Sequence, residues 1–359
     1  MSESVRNHYE CYPYPCYPLL ASVRACDTYA LNLSALWTKF NGELPPDAAR
    51  RVLIAGCGSF SPYPFSIANT ESDITALDLS ASSLRRARLH CLLHGCRNVR
   101  YQVGDLRDET VAPGQFGLID AYGVLHHLED PLAGLRSLEA RLAAGGILRV
   151  MVYNRYARRE EESIRWAFRM MGITDTARAK DIIRRSAKGS RLRKFIEASD
   201  EAGFEAGLAD ALLHPCVRMF RIDELLELIR HTGLEPLQFA HYGAREDVED
   251  EVQRIRQLEA GRQSCGNFLL FLGHANYKRR PAGTGTRLVL NPCLNGVVGP
   301  LRFGSVHLPP RLGFENPPLG WRERRFLRSF LTPVALDSID AAALATVNVY
   351  KKALILLQY

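Results

Sequence analysis

Two short segments carry residue types that could bind a nucleoside. Arg51–Phe60, RVLIAGCGSF, is an apolar run that breaks into Gly56-Cys57-Gly58, and a second apolar run ends in Asp78. Glycines at the carboxyl end of a buried strand leave backbone amides bare for a ligand. An acid at the tip of the next strand can accept both hydroxyls of a ribose. Together the two segments predict a pocket for an adenosine-containing cofactor.

The glycine loop departs from the dinucleotide-binding fingerprint. It continues as Ser59-Phe60-Ser61, so the third glycine of G-x-G-x-x-G is missing. That glycine makes room for a pyrophosphate and for close packing of the next helix, so a cofactor without phosphate is favoured over NAD or FAD. Asp78 has an alternative role as a cap of the following helix, but its distance from the glycines favours ribose recognition.

An alternating pattern of strands and helices must position these residues. The pattern runs from residue 51 to about 151 and predicts a doubly wound parallel sheet with right-handed crossovers. Two later strands with no long crossover between them are expected to pair antiparallel. The predicted strands are Val52–Ala55, Ile74–Leu79, Val99–Val103, Leu118–Tyr122, Ile147–Tyr153, Leu234–Tyr242 and Asn267–Ala275. The predicted helices of the core are Ser80–Leu93, Pro131–Leu142, Arg221–Gly233 and Arg245–Glu259.

Five segments in order resemble the class I S-adenosylmethionine-dependent methyltransferases: AGCGS, ALDLS, GDL, IDAYGVLHHLEDP and LAAGGILRVMVYN. The resemblance is strong over residues 50–155 and weaker over 215–275. It implies an α/β, Rossmann-like fold with a seven-stranded sheet that is mostly parallel and has an antiparallel last strand. It also implies S-adenosyl-L-methionine as the cofactor. Phe60 stands where many relatives carry glycine.

The resemblance assigns roles to residues at the strand ends. Gly56 and Gly58 would face the methionine portion of the cofactor, and Asp78 its ribose. Asp105 and Leu106 would lie by the adenine, although Asp105 could instead cap the next segment. The predicted cofactor-binding residues are Gly56, Cys57, Gly58, Asp78, Leu79, Asp105, Leu106, Tyr122 and Gly123.

Methyl transfer from a sulfonium depends mainly on alignment of the reactants. Orientation alone supplies effective molarities of about 10⁵ to 10⁸ M, so no catalytic triad is required. A weakly acidic hydroxyl or a protonated amine would still need a base, and His126 or His127 after the fourth strand is the candidate. The alternative is that this pair forms a structural turn with imidazoles bonded to the backbone.

The N-terminal arm, residues 1–45, is rich in tyrosine and proline. Asn7–Pro18 places four tyrosines between prolines that favour extended backbone. The arm could act as a lid that excludes water from the cofactor, with Tyr14 as the candidate lid residue. Equally, its tyrosines could pack the arm onto the edge of the sheet.

Two other regions flank the predicted cofactor-binding domain of residues 46–275. A helical insertion at about 154–219 borders the expected acceptor pocket, and Arg149–Lys194 holds fourteen Lys and Arg against five Asp and Glu. Such a wall could steer an anionic acceptor, or it could be a solvated helical face. The accessory module 280–359 ends in a predicted helix, Ser338–Leu357, which packs on its own core or forms a contact between two copies.

Composition limits the remaining classes. The 359-residue chain has a net charge of +7 and no long apolar run, which predicts a soluble, cytoplasmic protein without a membrane partner. Its nine cysteines include no pair matched at zinc-finger spacing, so no metal site is expected.

These patterns predict a methyltransferase that acts on a small molecule or natural-product intermediate. An RNA or protein acceptor is the first alternative and depends on the basic insertion. An NAD-dependent oxidoreductase is disfavoured by the missing third glycine. The last alternative is a protein that binds the cofactor without catalysis.

Overall fold

The structure is a computed structural model that describes residues 3–199, 201–277, 279–281, 283, 285–299 and 304–359. Within these ranges the strands are β1 (Arg51–Ala55), β2 (Asp73–Asp78), β3 (Val99–Val103), β4 (Phe116–Tyr122), β5 (Leu142–Val152), β6 (Leu234–Phe239), β7 (Phe268–His274), β8 (Arg287–Leu290), β9 (Val334–Ala335) and β10 (Leu356–Gln358). The α-helices are α1 (Glu3–Cys11), α2 (Leu33–Asn41), α3 (Pro62–Ala68), α4 (Ala81–Leu93), α5 (Pro131–Ala140), α6 (Arg159–Met170), α7 (Thr176–Arg185), α8 (Arg191–Ala198), α9 (Glu205–Leu213), α10 (Ile222–Arg230), α11 (Val248–Ala260), α12 (Trp321–Leu327) and α13 (Ala341–Lys352).

The main sheet has seven strands in the order β3-β2-β1-β4-β5-β7-β6. The first five pair in parallel, and β7 runs antiparallel to both of its neighbours. This confirms the predicted fold class. Because parallel strands end at the same edge, the loops after β1, β2, β3 and β4 meet there.

The fifth strand begins earlier than predicted. The prediction ended the preceding helix at Leu142, but α5 stops at Ala140 and β5 begins at Leu142. Phe116 pairs with Leu142 and Leu118 with Ile147, so β5 bulges between them. Gly145, at φ +73°, occupies the bulge and allows a turn that other residues resist.

The predicted C-terminal helix Ser338–Leu357 is wrong in extent. The helix α13 ends at Lys352, and Leu354 adopts φ +56°. The chain then forms β10, which pairs antiparallel with β8 in a three-stranded sheet with β9. Every residue from Ala353 to Leu357 is buried. A surface helix would expose part of this run, whereas the small sheet buries all of it.

The arm also differs from the expectation of extended backbone from Asn7. Residues up to Cys11 form α1, because the first proline is Pro13 and nothing before it breaks a helix. Val5 anchors this helix with no exposed surface.

Both faces of the sheet are covered. One face shares a hydrophobic core with α2 and the C-terminal sheet, which includes Trp37, Phe271 and Leu288. On the other face α5, α10 and α11 pack on the sheet. The insertion contributes α6 to α9 and has a small core of its own.

Helix length bears on the expectation of no membrane association. The longest helices of the described ranges, α4 and α11, have 13 residues each. None of the described helices combines the length and apolar character that a bilayer crossing requires.

Candidate functional site

The loop after β1 requires glycine at two positions. Gly56 and Gly58 adopt φ values of +71° and +56°, where L side chains are strained. A Cβ atom on Gly56 would lie 2.5 Å from Cγ2 of Val124. The amides of Gly56 and Cys57 both donate to the carbonyl of Leu77, at 2.8 and 3.0 Å, and so bind the loop to β2.

Asp78 lies directly beside this loop. Its Oδ2 accepts a 2.7 Å hydrogen bond from the Gly58 amide, and its Oδ1 accepts one of 2.9 Å from Ser80. The helix α4 is capped by Ser80, whose hydroxyl accepts from Ser83. Burial raises the pKa of Asp78 to about 6.

The carboxylate of Asp78 fits a ribose diol. Each carboxylate oxygen can accept about two hydrogen bonds, and each receives one bond from a backbone amide here. One acceptor direction on each oxygen therefore remains for a ligand hydroxyl. The structure adds a direct contact between the glycine loop and Asp78, through the Gly58 amide.

The end of β3 lies beside β2, where the Gly104 amide donates to the Asp78 carbonyl at 3.0 Å. Asp105 is engaged locally, because its Oδ1 accepts from the Arg107 amide at 2.9 Å and its Oδ2 pairs with the Arg107 guanidinium at 2.8 Å. These contacts agree with the capping alternative for Asp105, and its position by the adenine stays a prediction. Leu106 is buried and Leu79 is half-buried.

The remaining predicted cofactor residues differ in surroundings. Cys57 is buried, which raises the pKa of its thiol well above the usual value. Tyr122 is 46% exposed, and the guanidinium of Arg149 lies 4.7 Å from its ring centroid. Gly123 has φ +83°, and its amide donates to the Met151 carbonyl at the end of β5.

The arm lies across the strand ends. The carbonyl of Tyr14 accepts from the Ser59 amide at 3.1 Å, and a Cβ on Gly58 would lie 2.4 Å from that carbonyl. Glu10 accepts from the amides of Ala81 and Ser82 at the start of α4, at 2.5 and 3.2 Å. Tyr14, the predicted lid residue, therefore contacts the glycine loop through its backbone.

A cluster of aromatic and acidic side chains adjoins the end of β4, and we call it the histidine cluster. The hydroxyl of Tyr9 donates to Oδ1 of Asp210 at 2.9 Å. The rings of His127 and His214 have centroids 3.8 Å apart, and His126 stacks on Tyr153 at the same distance. The members of the histidine cluster are His8, Tyr9, His126, His127, Tyr153, Asp210 and His214.

Backbone contacts determine where two of the imidazoles carry their protons. Nδ1 of His127 lies 2.9 Å from the Cys216 carbonyl, which can only accept, so Nδ1 is protonated and Nε2 keeps its lone pair. Nδ1 of His214 accepts from the Cys216 amide at 3.1 Å, so its proton resides on Nε2. Burial lowers the pKa of His127 to about 4 and that of His214 further, so both rings are neutral at pH 7.

His126 is placed differently from its neighbour. Its side chain has no exposed surface, and neither ring nitrogen has a hydrogen-bond partner among the described residues. Burial lowers its pKa well below the usual value. The imidazole of His127 is bonded to backbone through Nδ1 and keeps its Nε2 lone pair, so this contact is compatible with both predicted roles, the structural turn and the base.

In the described part of the chain, one group of side chains is of the kind that can bind a metal ion. His8, Asp210 and His214 each offer a ligand atom, and these atoms lie within 4.8 Å of one another. However, the Nδ1 lone pair of His214 accepts from Cys216, and its Nε2 carries the proton. A protonated nitrogen cannot bind a metal, so the hydrogen bonding opposes coordination by this trio.

Three arginines of the insertion form contacts within it. Glu161 receives Arg158 at 2.7 Å and Arg165 at 3.0 Å, and Arg165 also donates to the Ala211 carbonyl at 2.7 Å. Arg169 donates to the carbonyl of His214. These arginines hold α6 against α9 and the histidine cluster.

Sequence reasoning missed His8, Asp210 and His214 as site residues. Each is unremarkable in its own segment, and Asp210 lies in an apolar helix within the insertion. Only the approach of α1 to α9 brings them together.

Comparisons with known proteins concern mainly the part of the chain that carries the glycine loop and Asp78. A family model described as a methyltransferase domain matches residues 53–148, which span β1 to most of β5. A protein of Synechococcus sp., described as uncharacterized, is 27% identical over 82% of this chain and 78% of its own length. A ubiquinone biosynthesis O-methyltransferase of Xanthomonas euvesicatoria is 35% identical over 30% of this chain, and the match covers 45% of that enzyme.

Solved structures provide a comparison of the fold. The structure of PKMT2 from Rickettsia typhi in complex with AdoHcy aligns with a TM-score of 0.54 and 14% identity. The alignment covers 94% of this chain and 72% of that one. At this identity the likeness concerns the fold.

Proposed function

We propose that this chain, whose cofactor-binding part matches a methyltransferase domain, is a class I S-adenosylmethionine-dependent methyltransferase that methylates an oxygen atom of a small-molecule acceptor. The observation that carries the proposal is the position of Tyr9. Its carbonyl accepts from the Ser80 hydroxyl at 3.0 Å, next to Asp78, while its own hydroxyl donates to Asp210. The cofactor side of the site and the histidine cluster are therefore in contact through one residue.

The cofactor side positions the methyl donor. When bound, S-adenosylmethionine supplies an electrophilic methyl group on a sulfonium. Asp78 would hold the ribose hydroxyls, and the methionine portion would lie along the loop of Gly56 and Gly58, beside the Tyr14 carbonyl of the arm. The arm would then exclude water, since Glu10 and Tyr14 already hold it over the loop.

On the acceptor side, His127 is the residue best prepared to remove a proton. Its Nδ1–H is held by the Cys216 carbonyl, which leaves Nε2 as the basic nitrogen. Its lowered pKa keeps Nε2 unprotonated at neutral pH. His126, without hydrogen bonds and stacked on Tyr153, would pack the cluster instead.

Two observations support a small acceptor with a reactive oxygen. The relatives matched at 29–35% identity are ubiquinone biosynthesis O-methyltransferases. In addition, α1 covers the histidine cluster, so an acceptor reaches it by displacing a short arm. That route suits a small molecule better than the surface of a folded macromolecule, and several arginines of the insertion are already paired within the chain.

The test is transfer of a labelled methyl group. The protein is incubated with methyl-labelled S-adenosylmethionine and either a panel of catechols, phenols and primary amines or a cell extract. We expect label in the solvent-extractable fraction, most strongly with hydroxyl acceptors, and far less of it with Asp78→Asn at a limiting concentration of the methyl donor. The variant Asp73→Asn, on the exposed start of the same strand, is the control. Label found only in acid-precipitable protein or RNA would refute a small-molecule acceptor.

A further inference from the structure

A cavity of about 240 Å³ lies at the opposite end of the sheet from the strand tips. It is bounded by the end of α2, by the segment that follows β7, by α13 and by β10. Asn41, at the end of α2, donates to the carbonyl of Gly145 at 2.7 Å, which places this region beside the start of β5. We call it the basic cavity.

Four cationic side chains line the basic cavity: Lys39, Arg279, Lys351 and Lys352. Lys352 pairs with Glu246 at 2.8 Å, and Lys351 donates to the amide oxygen of Asn348 at 3.3 Å. Lys39 and Arg279 make no ion pair with any residue that the structure describes. The cavity therefore holds more positive charge than its surroundings neutralise.

This excess charge is unfavourable without a counter-ion. Burial lowers the pKa of Lys39 to about 8, and the nearby Arg279 and Lys352 lower it as well, although Glu246 raises it. Burial, together with Arg279, also lowers the pKa of Lys351. Lys39 and Lys351 lie in the last turns of their helices, where the helix dipole favours a cation. The dipole does not explain why both side chains line the same cavity.

The wall that carries Arg279 is held in place by specific contacts. The Arg280 amide donates to the Asn41 carbonyl at 2.7 Å, and a Cβ on Gly42 would lie 2.3 Å from the Arg280 carbonyl. The hydroxyl of Tyr277 donates to Glu43 at 3.0 Å. These contacts hold the segment on both sides of Arg279 against the end of α2, and Arg279 lines the cavity from there.

A neutral polar group completes the lining. Oε1 of Gln358, on β10, is buried and has no hydrogen-bond partner among the described residues. Rotation of the amide by half a turn exchanges this oxygen for the NH₂ group, so the side chain can either accept from or donate to a ligand.

We propose that the basic cavity binds a phosphate group carried by a small molecule. A guanidinium can hold two phosphate oxygens at once, and ammonium groups add point charges around them. The volume exceeds what a single ion needs, so the organic part of a phosphate monoester has room as well. This site is independent of methyl transfer and links α2 to the C-terminal helix α13.

The test is calorimetric titration of the full-length protein, without methyl donor or acceptor, with inorganic phosphate and with glycerol phosphate. Chloride is used to hold the ionic strength constant. We expect saturable binding, and a loss of affinity of about tenfold or more in Arg279→Gln. The exposed Arg322→Gln in α12 is the matched control and should bind as the parent does.

Proton linkage provides a second measurement. Because the pKa of Lys39 is about 8, an anion bound at pH 8 should raise it and cause proton uptake, which appears as a dependence of the heat on buffer ionisation. Lys39→Gln should reduce that uptake, because Lys351 is the other cavity group whose pKa is lowered. Tighter binding of glycerol phosphate indicates a metabolite site, and tighter binding of inorganic phosphate indicates a site for the free ion and refutes the metabolite. No saturable heat, or equal loss in Arg279→Gln and Arg322→Gln, would refute the site itself.

Discussion

The hydroxyl of Tyr9 donates a 2.9 Å hydrogen bond to Oδ1 of Asp210, although 201 residues separate them in the chain. The next residue, Glu10, accepts from the first amides of α4. One turn of α1 therefore contacts both the helix that follows Asp78 and the insertion. The arm is part of the architecture of the candidate site.

Replacement of Tyr9 by phenylalanine should weaken this connection. Hydrogen bonds to charged groups contribute about 1.5 to 3 kcal/mol, so Tyr9→Phe should lower the free energy of unfolding by up to about that amount. Turnover should fall even under conditions in which the variant is fully folded, because the arm would close over the site less often. Tyr12→Phe is the control, and both variants are compared by denaturant unfolding and turnover. Equal turnover in the two variants would contradict a role for the Tyr9 contact.

Asp78→Asn should reduce cofactor affinity. An amide offers one acceptor oxygen where the carboxylate offers two, and loss of charge-assisted bonds to a diol should weaken binding by tens to hundreds of fold. Isothermal titration with S-adenosylhomocysteine measures this. Asp73→Asn, which removes only an exposed pairing with Arg100, should bind normally. Unchanged affinity in Asp78→Asn would contradict the assignment of Asp78 to the cofactor site.

Cofactor affinity should also depend on pH. The pKa of Asp78 is raised to about 6, and diol hydroxyls donate to the carboxylate, so the cofactor binds the ionised form. Affinity should therefore be constant above about pH 7 and fall by up to about tenfold per unit below pH 6. The dissociation constant of S-adenosylhomocysteine from pH 5 to 8 gives the profile. Asp78→Asn should show no such fall, and a parent profile equally flat would contradict the assignment.

The two adjacent histidines should respond differently to the same replacement. His126 makes no hydrogen bond with the described residues and stacks on Tyr153, so His126→Phe should retain folding and most of the activity. His127→Phe removes Nε2 and the bond to the Cys216 carbonyl, so transfer to hydroxyl acceptors should drop by about 10²- to 10⁴-fold. S-adenosylhomocysteine binding should be unaffected in both. Loss of activity in His126→Phe but not in His127→Phe would indicate that His126 is the base and that His127 has the structural role.

Acid should destabilise the protein through the buried imidazoles. The pKa of His127 is lowered to about 4 in the folded protein, against about 6.5 when unfolded. The unfolded state therefore binds more protons between these values, and stability is complete above pH 6.5 and lost as the pH falls towards 4. The slope from His127 alone reaches about 1.4 kcal/mol per pH unit. Denaturant unfolding at pH 7 and pH 5 measures it, and His127→Phe should show a smaller difference than the parent.

The sequence by itself determined the sheet and the cofactor loop. Apolar runs, glycines at strand ends and the interval to Asp78 are local patterns, and local sterics restrict what they form. The predicted strand Val99–Val103 has the same bounds in the structure, and the loop of Gly56 and Gly58 lies next to Asp78, as parallel pairing of their strands requires. The same part of the sequence indicated S-adenosylmethionine as the cofactor. The missing third glycine disfavoured a dinucleotide, and the five ordered motifs, which lie within about one hundred residues, resemble those of methyltransferases.

Only the tertiary structure decided the composition of the acceptor side and of the basic cavity. His214 and Asp210 join Tyr9 because α1 folds back over α9, and Arg279 meets Lys39 because the segment after β7 docks on the end of α2. The end of α13 was likewise decided by pairing of β10 with β8, not by the helical spacing before it. These contacts join residues far apart in the chain, and their free energy comes from packing that no local pattern records.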